Sequence, residues 1–479
     1  MAEENIFFLK AKEVSRKNVV TCSPDDPLVD VAGIMRRENI SGVVVCEGRA
    51  SVGIFTDRDL RNKVISTGGD PRTLTVRSVM NSPLIVVDEE DFLFEVVYRM
   101  SRNNIHRVGV VDSSGHLTGI ITDTDILSLQ TRSPQQMVKE IEAARTVEGL
   151  KTLHNRVQDL VAHLAGTGVQ TRDLVRMISH LNDQILLRMI ALLREDRFSD
   201  LTDRFAFVVL GSEGRREQTL TTDQDNALVY ADDLNDAEIR RLAEFSRELN
   251  DSLIAIGVPE CPGGIMAKNE AWRQSVGGWT RTLSRWLSSS TPENILNCSM
   301  FSDIRTVYGD SSLAHALKAE LIEQIQGDST CMMHMAKSVM GFSPPLGFFG
   351  RIKVEKQGEH RGLLNVKKAG IFAITEGVKI LSLEAGGLEG GTRERILSLV
   401  ERGVLRRNEA EDLDASFHFL VHVRLRGQVE AVRKERTPTN YVALDQLNRM
   451  EKGRLRLALE GVAKFQTSLK LRFSLDLMR

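Results

Sequence analysis

The chain has 479 residues, of which 42% are hydrophobic and 27% charged, with 63 Lys and Arg against 65 Asp and Glu for a formal net charge of −2. That length predicts about three domains, and the composition excludes a disordered, collagen-like or disulfide-stapled chain. Near-neutrality argues against a nucleic-acid coat or a polybasic membrane binder, and no apolar run approaches the ~18–20 residues that span a bilayer.

The N-terminus, MAEENIFFLKAKEV, is acidic and then amphipathic, without the basic n-region and long h-region of a secretory signal. The five cysteines form no CxxC pair. A cytoplasmic protein without structural disulfides or a thiolate zinc site is expected.

A repeat opens the chain. ENISGVVVCEGRASVGIFTDRDL aligns with NNIHRVGVVDSSGHLTGIITDTDIL, Met35 with Met100, Ile40 with Ile105 and Gly53 with Gly119. The offset grows by one residue within the hairpin. Each copy predicts an amphipathic helix (Leu28–Arg37, Phe92–Arg102), two short strands and a second helix after the TDxD segment. Units this small bury little core alone, so the copies are expected to pack together.

Gly53-Ile54-Phe55-Thr56-Asp57-Arg58-Asp59 and Gly119-Ile120-Ile121-Thr122-Asp123-Thr124-Asp125 both fit G-h-h-T-x-x-D, and the stretch resembles a tandem CBS-domain pair. The resemblance implies sensing of an adenine nucleotide (AMP, ADP or ATP) through Thr56, Asp59, Thr122 and Asp125, and a homodimer formed through the pair; Arg107, in the strand of the second copy, can face a phosphate. A Thr hydroxyl before a helix can bond a phosphate or ribose oxygen, and the Asp can accept from ribose hydroxyls. The same residues also read as N-caps with acids three positions on, which need no ligand.

Apolar spacing predicts connector helices over Val138–His163 and Asp173–Leu193, broken by Gly166-Thr167-Gly168. His154, His163 and His180 read as ordinary helix residues.

Phe205–Leu210 reads as a buried strand that ends at Gly211-Ser212, and Glu213–Gln218 as one or two helical turns. Asp223-Gln224-Asp225 follows, 12 residues after Gly211, and leads into a strand over Asn226–Tyr230. Glycine lets a backbone N–H approach phosphate. In an extended D-x-D both carboxylates point to one side. Such hard oxygen ligands suit Mg²⁺ shared with substrate phosphates.

GSEGRREQTLTTDQD resembles the nucleotidyltransferase superfamily pattern, and more closely the branch fused to CBS pairs and related to the N-terminal domain of PII-protein uridylyltransferases. The segments CPGGIMAKNEAWRQSVGGW, CSMFSDIRTVYGD and Pro344–Ile371 also resemble that branch. The resemblance implies Asp223, Asp225 and Asp303 as metal ligands and catalytic carboxylates for Mg²⁺ or Mn²⁺. It implies Gly211 and Ser212 on the phosphates of an NTP, Arg215 or Arg216 on leaving pyrophosphate, and Lys268 near the substrate. Glu217 reads as a loop brace. Gln224 is polar where the wider pattern is apolar. Neither a Walker A pattern nor G-x-G-x-x-G occurs.

Helices are predicted over Lys367–Glu384, Thr392–Arg402, Asn408–Arg436 and around Ser468, with breaks at Gly386-Gly387 and Gly390-Gly391. Arg424–Arg479 holds 13 Lys and Arg against 6 Asp and Glu, either a receiving face for an anionic partner or a solvated face with local pairs. His418 and His422 read as bundle residues rather than metal ligands.

The expected architecture is an α+β multidomain chain: a tandem CBS pair (1–131), a helical connector (132–200), a polymerase-beta-like nucleotidyltransferase domain with a mixed sheet (201–326) and a C-terminal helical bundle that binds substrate (327–479). The expected activity is NTP + acceptor to NMP-acceptor + pyrophosphate, in bacterial signalling. The acceptor is a protein, PII-like by resemblance, or a small molecule. The hydrolase and paired regulatory domains of full-length PII uridylyltransferases are not seen downstream, which leaves the acceptor open. The rival reading is a non-catalytic nucleotide sensor whose transferase fold is a partner-binding platform. A nucleic-acid-end transferase is disfavoured by the charge balance.

Overall fold

The computed structural model describes residues 9–48, 50–126, 134–165, 169–289, 291–347 and 350–477. Gly166-Thr167-Gly168 and the expected boundary at 131–132 lie outside them. The chain forms two units, Met1–Gln136 and Met137–Arg479.

In the first unit each repeat builds a three-stranded sheet. β1 (Thr21–Cys22) runs parallel to β2 (Gly42–Glu47), which pairs antiparallel with β3 (Ala50–Thr56). The second copy repeats this with β4 (Val86–Asp88), β5 (Arg107–Val111) and β6 (Leu117–Thr122). The helices Leu28–Arg37 and Leu93–Asn103 bury Leu28, Val31 and Met35, and Leu93, Val96 and Met100, so the i, i+3, i+7 stripe faces each core as the spacing requires. Each hairpin carries a bulge in its second strand, with Val52 the extra residue opposite Val45/Cys46 and Thr118 the extra residue opposite Val110/Val111.

The copies interlock through their flanks. The segment ending at Arg16 bridges to Ile120 of the second copy, and Asn81, after the first copy, bridges back to Ile54. Gly53 and Gly119 explain why this works. A Cβ at Gly53 would sit 2.6 Å from the Asn81 carbonyl, and one at Gly119 2.7 Å from Ser15 Oγ. The repeated glycine is the place where a crossing segment lies directly on the strand.

The second unit is organised on a four-stranded mixed sheet whose strands lie in the order Arg305–Gly309, Phe205–Val209, Asn226–Tyr230, Arg273–Ser275. β7 (Phe205–Val209) pairs antiparallel with β8 (Asn226–Tyr230) and with β10 (Arg305–Gly309), while β8 runs parallel to β9 (Arg273–Ser275). Every side chain of β7 is buried, as its unbroken apolar run predicts. The connector helices Val147–Leu164 and Thr171–Asp196 and the C-terminal helices Phe372–Glu384, Thr392–Glu401, Arg407–Arg433 and Arg449–Arg472 share one continuous core with the sheet. β11 (Leu363–Asn365) and β12 (Tyr441–Ala443) form a separate antiparallel pair.

Two expected features differ in detail. The helix expected to begin at Lys367 opens with a wide turn, Lys367–Ile371, before regular helix at Phe372. The basic C-terminal stretch resolves largely into local pairs. Arg426 meets Glu451, Lys434 meets Glu430, Arg472 meets Glu384, and Arg424 is buried.

Candidate active site

The sheet register gathers three loops at one edge. Val209 pairs with Asn226 and with Arg305, so the chain leaving β7 and the segments entering β8 and β10 meet there. The Leu210 N–H donates to the Asp225 carbonyl at 2.8 Å. Gly211 then turns with φ +53°, and a Cβ there would lie 2.8 Å from Met300 Cε and 3.2 Å from Asp225 Oδ2. Glycine is required both by the left-handed backbone and by the carboxylate above it. The single helical turn Gly211–Gly214 follows.

Asp223-Gln224-Asp225 lies outside regular structure just ahead of β8. Gln224 is buried: its Nε2 donates to the Asn250 and Val258 carbonyls, and its Oε1 accepts from Asn250 Nδ2 at 2.8 Å. Asn250 also donates to Asn226 Oδ1 at 3.0 Å. The polar middle residue is thus the inward anchor of an amide network, and the flanking Asp223 and Asp225 are both less buried than it. Burial pushes the Asp225 carboxyl up to about 6. The Cys261 thiol, donating to it, and Lys367 act in the opposite direction, and Asp223 adds to the rise.

Two cations from the C-terminal helices face this pair. Arg424 Nη2 donates to the Thr221 carbonyl at 3.2 Å and its Nε to Asn440 Oδ1 at 2.7 Å, while the Asn440 carbonyl accepts from the Val366 N–H. Lys367 is the next residue. Burial lowers its ammonium pKa, with Arg424 adding to the fall and Asp225 and Asp223 opposing it. Burial likewise lowers Arg424 to about 10, opposed by Asp223. The sequence hints at these two positions were the motif-like Pro344–Ile371 segment and the basic excess of Arg424–Arg479, neither of which singled out Lys367 or Arg424.

Asp303 requires a correction. Its backbone reaches the expected edge, and a Cβ at Gly214 would fall on the Asp303 carbonyl. Its side chain does not join Asp223 and Asp225. Oδ1 accepts from Arg395 Nη1 at 2.7 Å, and Oδ2 pairs with Lys379 Nζ at 2.9 Å and with Arg215 Nη1. Burial opposes its ionisation, but Lys379, Arg215 and Arg395 outweigh that and hold the carboxyl below the usual range. Glu217 binds Arg215 Nε at 2.8 Å, and Glu376 binds Lys379 at 2.9 Å. Three cations therefore balance three carboxylates in a dry ionic cluster between the sheet and the C-terminal helices. Among the described residues, no group of three His, Cys, Asp or Glu side chains is placed to hold a metal. The sequence signal for this cluster was Glu376 and Lys379, three apart in the apolar helix FAITEGVKILSLE: an acid and a base at that spacing in such a helix must be buried as a pair.

The other expected phosphate ligands also find different surroundings. Arg215 is locked in the ionic cluster. Lys268 pairs with Glu260, and with Asp251 at 3.4 Å, on the surface. Arg216, φ +56°, points to Asp183, 4.0 Å away. Glu217 also accepts from the Thr392 N–H and, at 3.1 Å, from its hydroxyl, capping the helix Thr392–Glu401. His418 lies 3.2 Å from Asp414 and His422 2.7 Å from the Thr171 hydroxyl, so the two histidines have separate partners.

In the first unit both Thr-x-x-Asp segments form capping boxes. Asp59 Oδ2 accepts from the Thr56 N–H at 3.1 Å and its hydroxyl at 2.6 Å, and Asp125 Oδ2 does the same with Thr122 at 2.9 and 2.6 Å. The second oxygens are also engaged, Asp59 with Asn81 at 2.6 Å and Lys63 at 3.2 Å, Asp125 with Arg16 at 2.8 Å. Arg107 reaches from β5 into the first copy, where Nη2 donates to Ser41 Oγ at 3.0 Å, and its charge is attracted by Asp123, Asp57 and Asp59. Thr56, Asp59 and Arg107 therefore share one locality, while Asp125 is served by Arg16.

Residues 155–293 match the family described as "Putative nucleotidyltransferase DUF294", residues 329–473 its "substrate binding domain", and residues 11–66 and 76–132 the CBS domain. An uncharacterised protein of Methanopyrus kandleri is 40% identical over 119 residues, 25% of this chain and 61% of that protein. The inosine-5'-monophosphate dehydrogenase of Thermoplasma acidophilum is 34% identical over 114 residues, 24% of this chain and 22% of that enzyme. The chain thus spans less than two thirds of the length of these relatives. A solved CBS-domain protein of unknown function from Thermoplasma acidophilum is 26% identical, covers 25% of this chain and 68% of its own, and superposes with a TM-score of 0.25. No helix among the described residues is long and apolar enough to cross a membrane. The chain belongs to the proteins in which a CBS-domain pair is joined to this nucleotidyltransferase-family domain and its C-terminal substrate-binding domain.

Proposed function

We propose that the second unit transfers a nucleoside monophosphate from an NTP to an acceptor hydroxyl, and that an adenine nucleotide on the CBS pair regulates it. The acceptor oxygen forms a bond to the α-phosphorus, the bond to the β-phosphate oxygen breaks, pyrophosphate leaves and the acceptor proton passes to solvent. The observation that carries this reading is the Asp225 carboxylate over the Gly211 turn, with Asp223 two residues before it and the buried cations Lys367 and Arg424 near enough to interact with the pair.

The donor set fits a divalent cation. Two adjacent carboxylates, one with a pKa raised to about 6, repel each other and gain from a shared positive charge. Mg²⁺ needs only one or two protein carboxylates when phosphates and waters complete its shell. When bound, it would neutralise phosphate charge at the reacting group. Asp223 and Asp225 would hold it, the Gly211 and Ser212 backbone would lie along the phosphates, and Lys367 and Arg424 would draw charge from the leaving pyrophosphate. Asp303 is left out of the metal set. Its role is to hold Arg215 and the C-terminal helices in register. In the first unit, Arg107 with Thr56 and Asp59 suits a phosphate and ribose, and Thr122 with Asp125 is the equivalent place in the second copy.

The rival reading, a non-catalytic sensor, draws support from the loss of the third carboxylate. Incubation with each labelled NTP, Mg²⁺ and cell extract separates the two. The transferase labels a protein or small molecule and loses ~10²-fold or more on Asp223→Ala or Asp225→Ala. An unlabelled extract under all four NTPs would leave the sensor.

A further inference from the structure

A cavity of about 500 Å³ opens on the far side of the Arg215–Glu217 turn, and neither Asp223 nor Asp225 lines it. Its polar wall carries Arg172, Arg176, His180, Arg216 and Arg393, and its apolar wall Val175, Phe417 and Val421. The acids around it already have partners. Asp183 is gripped by both terminal nitrogens of Arg305, at 2.8 and 3.0 Å, Glu217 by Arg215 and Thr392, and Glu394 by Arg176 at 3.0 Å.

The arginines are less well matched. Arg216 stands 65% exposed with its nearest acid 4.0 Å away, and its backbone is held left-handed, φ +56°. Arg393 Nε is buried without a hydrogen-bond partner, 3.6 Å from Asp414 Oδ2. A non-glycine residue in that conformation, lining an open cavity, is the kind of outlier that gathers at ligand clamps. Guanidinium forks match phosphate oxygens in pairs, and the volume suits a small molecule.

We propose that this cavity is a second ligand site that takes a phosphomonoester with an apolar body, the phosphate held by Arg172, Arg216 and Arg393 and the body against Val175, Phe417 and Val421. It is separate from the Asp223–Asp225 edge of the sheet and does not depend on turnover there.

The test is calorimetric titration of the full chain in EDTA with phenyl phosphate and with inorganic phosphate. Phenyl phosphate binds more tightly than inorganic phosphate. The double variant Arg172→Ala/Arg216→Ala loses tenfold or more in affinity, Arg216→Gln alone loses part of it, and Lys367→Ala binds as the parent does. Arg216 is exposed and Arg172 half-buried, so the melting temperature of each variant is read beside its affinity, and Arg216→Gln, at the exposed position, melts with the parent. The proposal is overturned if the parent binds neither probe, if the arginine variants bind unchanged, or if Lys367→Ala loses as much as they do. Failure of NTP labelling would leave these results untouched.

Discussion

Asp303→Asn removes one negative charge from the ionic cluster while keeping its shape. Arg215, Lys379 and Arg395 would then face only Glu217 and Glu376. All three ion pairs that lose their negative partner are within 2.9 Å and shielded from water, so solvent cannot compensate the stranded charge. Breaking such a buried pair costs about 3–5 kcal/mol. The unit runs from residue 137 to 479, and at ~2.1 cal/mol/K per residue its unfolding entropy is roughly 0.7 kcal/mol/K, so the melting temperature should fall by about 4–7 °C. Scanning calorimetry in EDTA at pH 7 reads this directly. The carboxyl is held below its ordinary value, so its contribution is complete above ~pH 4 and is lost only as pH falls through the folded value. A metal ligand would behave oppositely: without metal, removing one charge from an acidic group relieves repulsion. If Asp303→Asn melts with or above the parent in EDTA and its Mg²⁺-dependent labelling drops 10²-fold, the assignment of Asp303 to the ionic cluster is wrong.

Asp225 gives a pH signature. With its pKa raised to about 6, the folded unit holds a proton that the unfolded chain releases near pH 4, so in EDTA the Asp225 contribution to stability falls between about pH 4 and 6 and is flat above. Mn²⁺ affinity, followed by calorimetry, should rise up to about tenfold per pH unit below 6 and then level off; a pH-independent affinity would exclude Asp225 as a ligand. Gly214→Ala should destabilise the unit by at least ~1–3 kcal/mol, since the new methyl meets the rigid Asp303 backbone. Gly211→Ala adds left-handed backbone strain of about 1–2 kcal/mol, but its methyl meets the movable Met300 side chain rather than backbone, so chemical denaturation should rank Gly214→Ala as the more damaging. In the first unit, Arg107→Ala should weaken AMP binding by tenfold or more without disturbing either capping box, whereas Asp59→Ala also removes a cap and about 1 kcal/mol with it; equal AMP binding by parent and Arg107→Ala would remove Arg107 from the site.

The linear order of residues determined much of this protein. The repeat, its paired Thr-x-x-Asp segments, the buried strand Phe205–Val209 and the Gly211-Ser212…Asp223-Gln224-Asp225 spacing are local patterns, because strand alternation, glycine turns and helix capping act over a few bonds. Only the tertiary structure decided which charges meet. Asp303 and Arg395 are 92 positions apart, and Arg424 lies 203 positions from Thr221. Three cations claim the first, and the second brings a guanidinium to the DxD edge. Whether a buried carboxylate serves a metal or an ion pair depends on the nearest opposite charge in space, since Coulomb energy in a low-dielectric interior outweighs any preference carried by the local sequence.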